Sequence, residues 1–316
     1  MRWKAGLYVL VILGSTCTNS HALSQNLALP EAGKASSAMD VAHQVYFVDH
    51  FYAFENITMG YKSTRDMLLL SYSGDTLNEM SSERLITHQP HNPRLKTQDL
   101  VIFKTGKLSG SGILVDDFQR SQAMQIQMWL PALRKVRRFS EPDQEAVWGG
   151  SQLSYGDLYL RRPEHETHQF VSAHTNPACL EDIQHFTTWA AQYPHISFAS
   201  WCTVDLQSAV FLKSTPIDPS PHYEYRIRMI NPETFAEYQV EYFKNGNLVK
   251  RLQKNWHAVP AADKRAQIWN FWTVLVFEQG KLVAQSVALL EDASYQWNQS
   301  LPSDLWSEKS LRKIRR

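Results

Sequence analysis

The stretch that decides the fold is residues 124–158, MQIQMWLPALRKVRRFSEPDQEAVWGGSQLSYGDL. Met124, Ile126, Met128 and Leu130 share one parity, and Gln125, Gln127 and Trp129 share the other. Successive side chains on a strand point to opposite faces, so this is a strand with one greasy face. Pro131-Ala132 interrupts it and marks a turn, because proline cannot donate to a central ladder. Arg134-Lys135-Val136-Arg137-Arg138-Phe139 then returns as a basic strand. Its charges alternate too, which sets Arg134 and Arg138 opposite Lys135 and Arg137. A Gly149-Gly150-Ser151 corner follows, and then Ser154-Tyr155-Gly156-Asp157-Leu158.

Upstream, residues 67–72 (MLLLSY) form an apolar run ending at Ser73-Gly74-Asp75, a turn triplet, and residues 79–87 return from it. Residues 99–104 (DLVIFK) are a further strand. Residues 106–115 (GKLSGSGILV) contain Gly-Ser-Gly but no following Lys-Ser/Thr and no helix pattern, so they read as a strand with a glycine bend, not a phosphate loop. Downstream, residues 223–230 alternate, and residues 235–243 and 248–252 flank Asn245-Gly246, the strongest hairpin signal in the chain. Residues 266–277 and 282–290 flank another short turn.

Helices are few. Residues 41–54 have helical spacing behind a Met39-Asp40 cap, with His43 and His50 expected at the surface. Asn176-Pro177 opens a helix that reaches residue 194, and residues 301–316 end the chain as a helix with a basic tail. Strands do not alternate with helices, which disfavours a parallel sheet. A meandering antiparallel sheet that curls into a barrel or half-barrel, with helices over its mouth, is expected.

The 316 residues, 43% hydrophobic and 20% charged, suffice for a sizeable core. A net charge of +1 offers no global basic field and no reason to expect nucleic acid. Arg2 and Lys4, the apolar residues 7–13 (LYVLVIL) and Ser20-His21-Ala22 have the form of a secretory signal cleaved near Ala22. Beyond Cys17 in that leader, the cysteines are Cys179 and Cys202. In an oxidising compartment they read as a disulfide, with two free buried thiols as the alternative. His165 and His168 lack the spacing of a zinc helix and read as a polar loop. No nucleophile elbow or other catalytic constellation is present, and no cofactor is expected.

The central stretch resembles the LolA-like periplasmic family of outer-membrane lipoprotein-sorting proteins. The likeness rests on Trp129, Leu130, Pro131, Ala132 and Leu133, on Arg137, Arg138 and Phe139, and on Gly150, Ser151, Tyr155, Asp157 and Leu158. It extends from about residue 65 onward. The hairpin is shorter than the family's, Gln152 stands where the family often has Asp, and residues 176–194 look inserted. The resemblance implies a mainly β (α+β) fold, a half-open antiparallel β-barrel with a helical lid. Residues 23–316 would be one lipid- or lipoprotein-binding domain behind a signal peptide at 1–22.

The function implied is that of a non-enzymatic periplasmic carrier or chaperone. It would shelter the acyl chains of a lipid or lipoprotein in an apolar cavity for transfer towards the outer membrane. Its partners would be that cargo and an inner-membrane exporter or outer-membrane acceptor. The residues themselves offer Met124, Ile126, Met128 and Leu130 as cavity wall, joined by Phe103 and Leu114. Asp157 is a candidate ion-pair partner for one of the hairpin arginines. The rival readings are a lipid sensor using the same cavity to signal to a membrane partner, a secreted hydrolase, and an envelope protein with a filled core.

Overall fold

The computed structural model describes residues 37–73, 76–119, 123–140, 144–172, 186–194, 196 and 209–314. The expected signal segment, Cys179, Cys202, Arg315 and Arg316 lie outside the described residues.

The strands are β1 (Asn56–Met59), β2 (Met67–Ser73), β3 (Thr76–Thr87), β4 (Leu95–Phe103), β5 (Gly112–Phe118), β6 (Gln125–Leu130), β7 (Lys135–Ser140) and β8 (Glu166–Val171). Then follow β9 (Val210–Pro216), β10 (Tyr225–Ile230), β11 (Glu237–Lys244), β12 (Asn247–Ala258), β13 (Gln267–Glu278), β14 (Lys281–Leu289) and β15 (Tyr295–Trp297). They form one antiparallel sheet in the order β7-β6-β5-β4-β3-β2-β14-β13-β12-β11-β10-β9-β8, with β1 between β3 and β15. Short turns impose that order. Asn245 and Gly246, both at positive φ, join β11 to β12, and Gln279 and Gly280 join β13 to β14 in the same way. Residues 131–134 join β6 to β7, so the β6–β7 hairpin closes at Leu130 and Lys135.

Among the described residues the sheet does not close: β7 and β8 are its two edges. Ile126 near one edge and Leu212 near the other nevertheless share one cluster of buried apolar side chains, so that face is concave. The fold is a half-open antiparallel barrel.

Helix α1 (Ala38–Asp49) lies against the concave face. Ser37 caps it: Asp40 N donates to Ser37 Oγ and Ser37 N donates to Asp40 Oδ2, each at 3.1 Å. The helix therefore starts before the expected residue 41, and it stops at Asp49 instead of residue 54, just before Phe51 takes a φ of 58°. Seven of its residues from Val41 to Val48 are buried, more than one stripe, as befits a helix held between layers.

The second cover is the segment 144–165, which connects the two free edges and so straps the open side. Trp148, Leu153, Leu158 and Tyr159 enter the concave core from it, with the Trp148 ring 5.5 Å from that of Phe103. Its corner turns on Gly149 and Gly150, at φ 62° and 72°. Ser151 Oγ closes the corner, donating to Trp148 O at 2.7 Å and accepting from Leu153 N at 3.0 Å. A Cβ on Gly150 would meet nothing within 4 Å, so Gly150→Ala isolates the conformational cost. That variant should lose about 1–2 kcal/mol in urea unfolding, and no measurable loss would show that the corner relaxes.

The convex face is covered too. Helix α2 (Phe186–Gln192) brings Trp189 onto Tyr72, Phe271 and Val287, its Nε1 donating to Tyr72 OH at 3.1 Å. Helix α3 (Glu308–Arg312) seals Leu85, Leu100 and Leu114 with Leu311. Gly112 permits that approach: a Cβ there would lie 2.3 Å from Ile314 Cδ1.

Candidate functional site

The interior between sheet and cover has an apolar half and an ionic half. In the apolar half, Met124 and Ile126 are buried against Phe103, Val101, Ile113 and Val115. Met128 packs half-buried on the same cluster, and Leu130 follows the same parity to the hairpin end, where it is partly exposed. Leu114 does not join them. Its register partner is Leu100, one residue out of phase with Val101 and Phe103, so it points to the convex face beneath α3. Trp129 also faces α3. Arg138 pairs with Glu308 of α3, whereas Arg137 lies across from Met128 on the concave side.

Beside Met124 and Val115 lies a buried pair, Arg84 and Asp99, with Arg84 Nη2 at 2.6 Å and Nε at 3.0 Å from Asp99 Oδ2. The Arg84 guanidinium also sits 5.3 Å from the centre of the Tyr159 ring of the strap.

The ionic half is built on β8 and β10–β12. Asp157 of the strap is its hub. Its carboxylate meets Lys250 and Arg161 Nη1, the latter at 3.1 Å. It also accepts from Tyr242 OH and Ser154 N, each at 2.8 Å. Burial alone would raise its pKa, but Lys250 and Arg161 outweigh burial and hold the carboxyl well below the usual range. These partners replace the candidate hairpin arginine, because the strap carries Asp157 away from β7 and over β11–β12. Arg161 reaches further, to Tyr223 OH at 3.1 Å and Glu145 at 2.6 Å. Glu166 takes a two-pronged bond from Arg226 at 2.9 and 2.6 Å. Burial opposes its ionisation, yet Arg226 brings its pKa down to about 2. Glu237 pairs with Arg228, and Lys254 links Glu237 at 3.6 Å to Asp49 of α1 at 2.9 Å. Asp49 is pushed upward by burial, with Lys254 acting against it. Two sets of ion pairs thus tie the covers to the sheet, Asp157 with Lys250 for the strap and Asp49 with Lys254 for α1.

An aromatic cluster joins the two halves. Tyr46 stacks on His50 with ring centres 3.9 Å apart, and Tyr52 lies 4.4 Å from His88. Lys96 sits over the rings of Tyr46 and Tyr52. His50 is not the surface residue its helical position suggested: its Nδ1 donates to Tyr46 O at 3.0 Å and its Nε2 is buried. Burial drives the pKa of both histidines down to about 3, and Lys96 pushes the same way.

Small cavities lie among the described residues, one of about 40 Å³ beside the ionic network and one of about 30 Å³ between His50, Arg84 and Met124. A water needs roughly 10–15 Å³ of such space, so each has room for a few waters and none for an acyl chain. With α1 and the strap in place, neither of these two pockets admits an acyl chain.

His168 lies on β8, not in a loop; its ring meets Ser214 Oγ and Pro163 O, each at 2.9 Å. Among the described residues, no group of three or more His, Cys, Asp or Glu is placed to hold a metal. No helix among them is long and apolar enough to cross a membrane.

Sequence reasoning missed Arg161, Arg226, Arg228, Glu237 and Lys254. One signal was present, the alternation of Arg226 and Arg228 with Ile227 and Met229, but it ordinarily places the charges outside.

No protein-family model and no curated protein matches the chain. Solved structures do. The chain is similar to a DUF1329 family protein from Desulfovibrio piger, at 14% identity and a TM-score of 0.62 over 88% of this chain and 100% of that one. It is similar to a domain provisionally named for outer membrane lipoprotein sorting from Vibrio parahaemolyticus, at 14% identity and a TM-score of 0.61 over 87% and 98%. It is also similar to a LolA superfamily protein from Nitrosomonas europaea, at 12% identity and a TM-score of 0.52 over 87% and 100%. At such identities the likeness establishes the fold: this half-barrel is of the LolA type.

Proposed function

We propose, from that fold as premise, that the chain is a non-enzymatic periplasmic carrier. It would shelter the acyl chains of a lipid or lipoprotein on its concave face for transfer towards the outer membrane, between an inner-membrane exporter and an outer-membrane acceptor. The observation that carries the reading is an apolar inner wall that runs to Met128 on β6, beside the edge strand β7, under a roof made of α1 and the strap. Loading requires that roof to lift. Each CH₂ taken from water returns about 0.8 kcal/mol, which offsets the apolar contacts α1 gives up. The ionic network would act as the latch, since its charges bind the two covers to the sheet through a few discrete contacts.

Native mass spectrometry of protein prepared gently from the periplasm should show bound acyl lipid. A clean apo mass, with no binding of a fluorescent fatty acid, would overturn the reading. Met128→Arg should weaken fatty-acid binding at least about tenfold while leaving the protein folded, since an arginine at this half-buried position can extend its head to water. Unfolding of that variant would instead make Met128 an ordinary core residue and count against the carrier.

A further inference from the structure

The sheet ends at β7, and positive charge collects along that free edge. Arg134, Lys135, Arg137 and Arg138 are all exposed on the β6–β7 hairpin. Helix α3, packed behind the hairpin, adds Lys309, Arg312 and Lys313, also exposed. Among the described residues, Glu308 and Asp304 oppose them: Glu308 engages Arg138 and Arg312, and Asp304 lies 3.8 Å from Lys313. Among the described residues, Arg134, Lys135, Arg137 and Lys309 have no carboxylate partner. The whole chain carries only +1, so this concentration is local.

Two apolar side chains stand out from the same edge. Leu133 at the turn is 50% exposed and Phe139 is 44% exposed. Cations project from both faces of the strand, with Arg137 on the concave side and Arg138 towards α3. A strand edge flanked by charge above and below resists the addition of another strand. The same arrangement suits a flat anionic layer met edge-on: cations on both sides reach the headgroups while the apolar tip enters the interface.

We infer that the β6–β7 hairpin and α3 form a docking surface for an anionic lipid bilayer. Each cation held near such a surface contributes on the order of a fivefold gain in partitioning, and Leu133 adds a part that salt does not screen. Docking by this edge sets the membrane beside Met128 and Leu130, at the open end of the apolar wall. The inference goes beyond the carrier reading and stands without it.

The test is co-sedimentation of the purified chain with vesicles of phosphatidylcholine, with and without phosphatidylglycerol. Binding should require phosphatidylglycerol and fall steeply with salt. The variant R134Q/K135Q/K309Q should bind about a hundredfold more weakly with an unchanged circular dichroism spectrum and melting temperature. Leu133→Ser should remove the binding that survives high salt. Equal binding to both vesicle types, or undiminished binding by the triple variant, would overturn the inference. So would capture of polyglutamate in the absence of any vesicle binding, which would mark the edge as a site for an acidic polypeptide. Aggregation of the triple variant without vesicle binding by the parent would also overturn it, because the cations would then only guard the edge. Fatty-acid uptake in free solution, measured on the same variant, should persist; its loss in the parent would count against the carrier and leave the docking surface intact.

Discussion

Asp157→Ala is expected to destabilise the protein by about 3–5 kcal/mol, the cost of leaving buried cations without their anion. The Asp157 side chain has 0% exposure and holds Lys250, Arg161 and Tyr242 at once. Its loss strands two cations against β11 and β12 and removes the acceptor for Ser154 N, which shapes the strap. Urea unfolding of the variant measures the loss, and limited proteolysis should show first cleavage within residues 144–165. The double variant D157N/K250M should recover on the order of 1–2 kcal/mol relative to the sum of the single changes. A loss below about 1 kcal/mol for Asp157→Ala, or strict additivity in the double variant, would show that the strap is not anchored here. The linkage has a definite sign. The Asp157 pKa is depressed by folding, so its contribution is full above about pH 4 and declines as pH falls below the unfolded value.

The largest effect of pH should come from His50 and His88. Folding lowers both from the ordinary value near 6.5 to about 3, chiefly through burial. Between those values the unfolded chain binds more protons than the folded one, so stability is full above pH 6.5 and is lost as pH falls. At pH 5 each ring costs at most about 2 kcal/mol, and the pair about 4. Asp49 and Asp99 act in the opposite sense. Burial raises their pKa values, so the folded state takes up protons there first and gains stability on mild acidification. The comparison that isolates the histidines is therefore wild type against H50N/H88N, each unfolded in urea at pH 7 and at pH 5. The wild type should lose several kcal/mol more across that interval than the variant. An equal loss in both proteins would mean the rings are solvated in the folded state.

Much of the fold was legible in the sequence. The hairpins at Asn245-Gly246 and at residues 131–134, the strand 124–130 and the Gly149-Gly150 corner all follow from local chemistry, and so does the half-barrel they build. The likeness to LolA-type structures agrees with the family the sequence resembles. Ser151 and Asp157 prove to be residues that shape and anchor the strap. The site was less legible. Leu114 looked like a neighbour of Phe103, yet the β4–β5 register sets it one residue out of phase. His50 looked like a surface histidine because helical spacing alone does not reveal a second layer.

Alternation along a chain determines that a strand has two unlike faces, and that much the residues declare unaided. It does not determine which face is enclosed, and in this protein both are covered, the concave one by α1 and the strap and the convex one by α2 and α3. Arg226 and Arg228 could therefore turn inward while Ile227 and Met229 turned outward beneath Trp189. Only the tertiary structure decided this. An inward charge is tolerable only where a counter-charge from a distant strand or strap arrives within bonding distance, as Glu166 does for Arg226 and Glu237 for Arg228. Such partners are chosen by strand register and by where the strap crosses, neither of which is written in any single stretch.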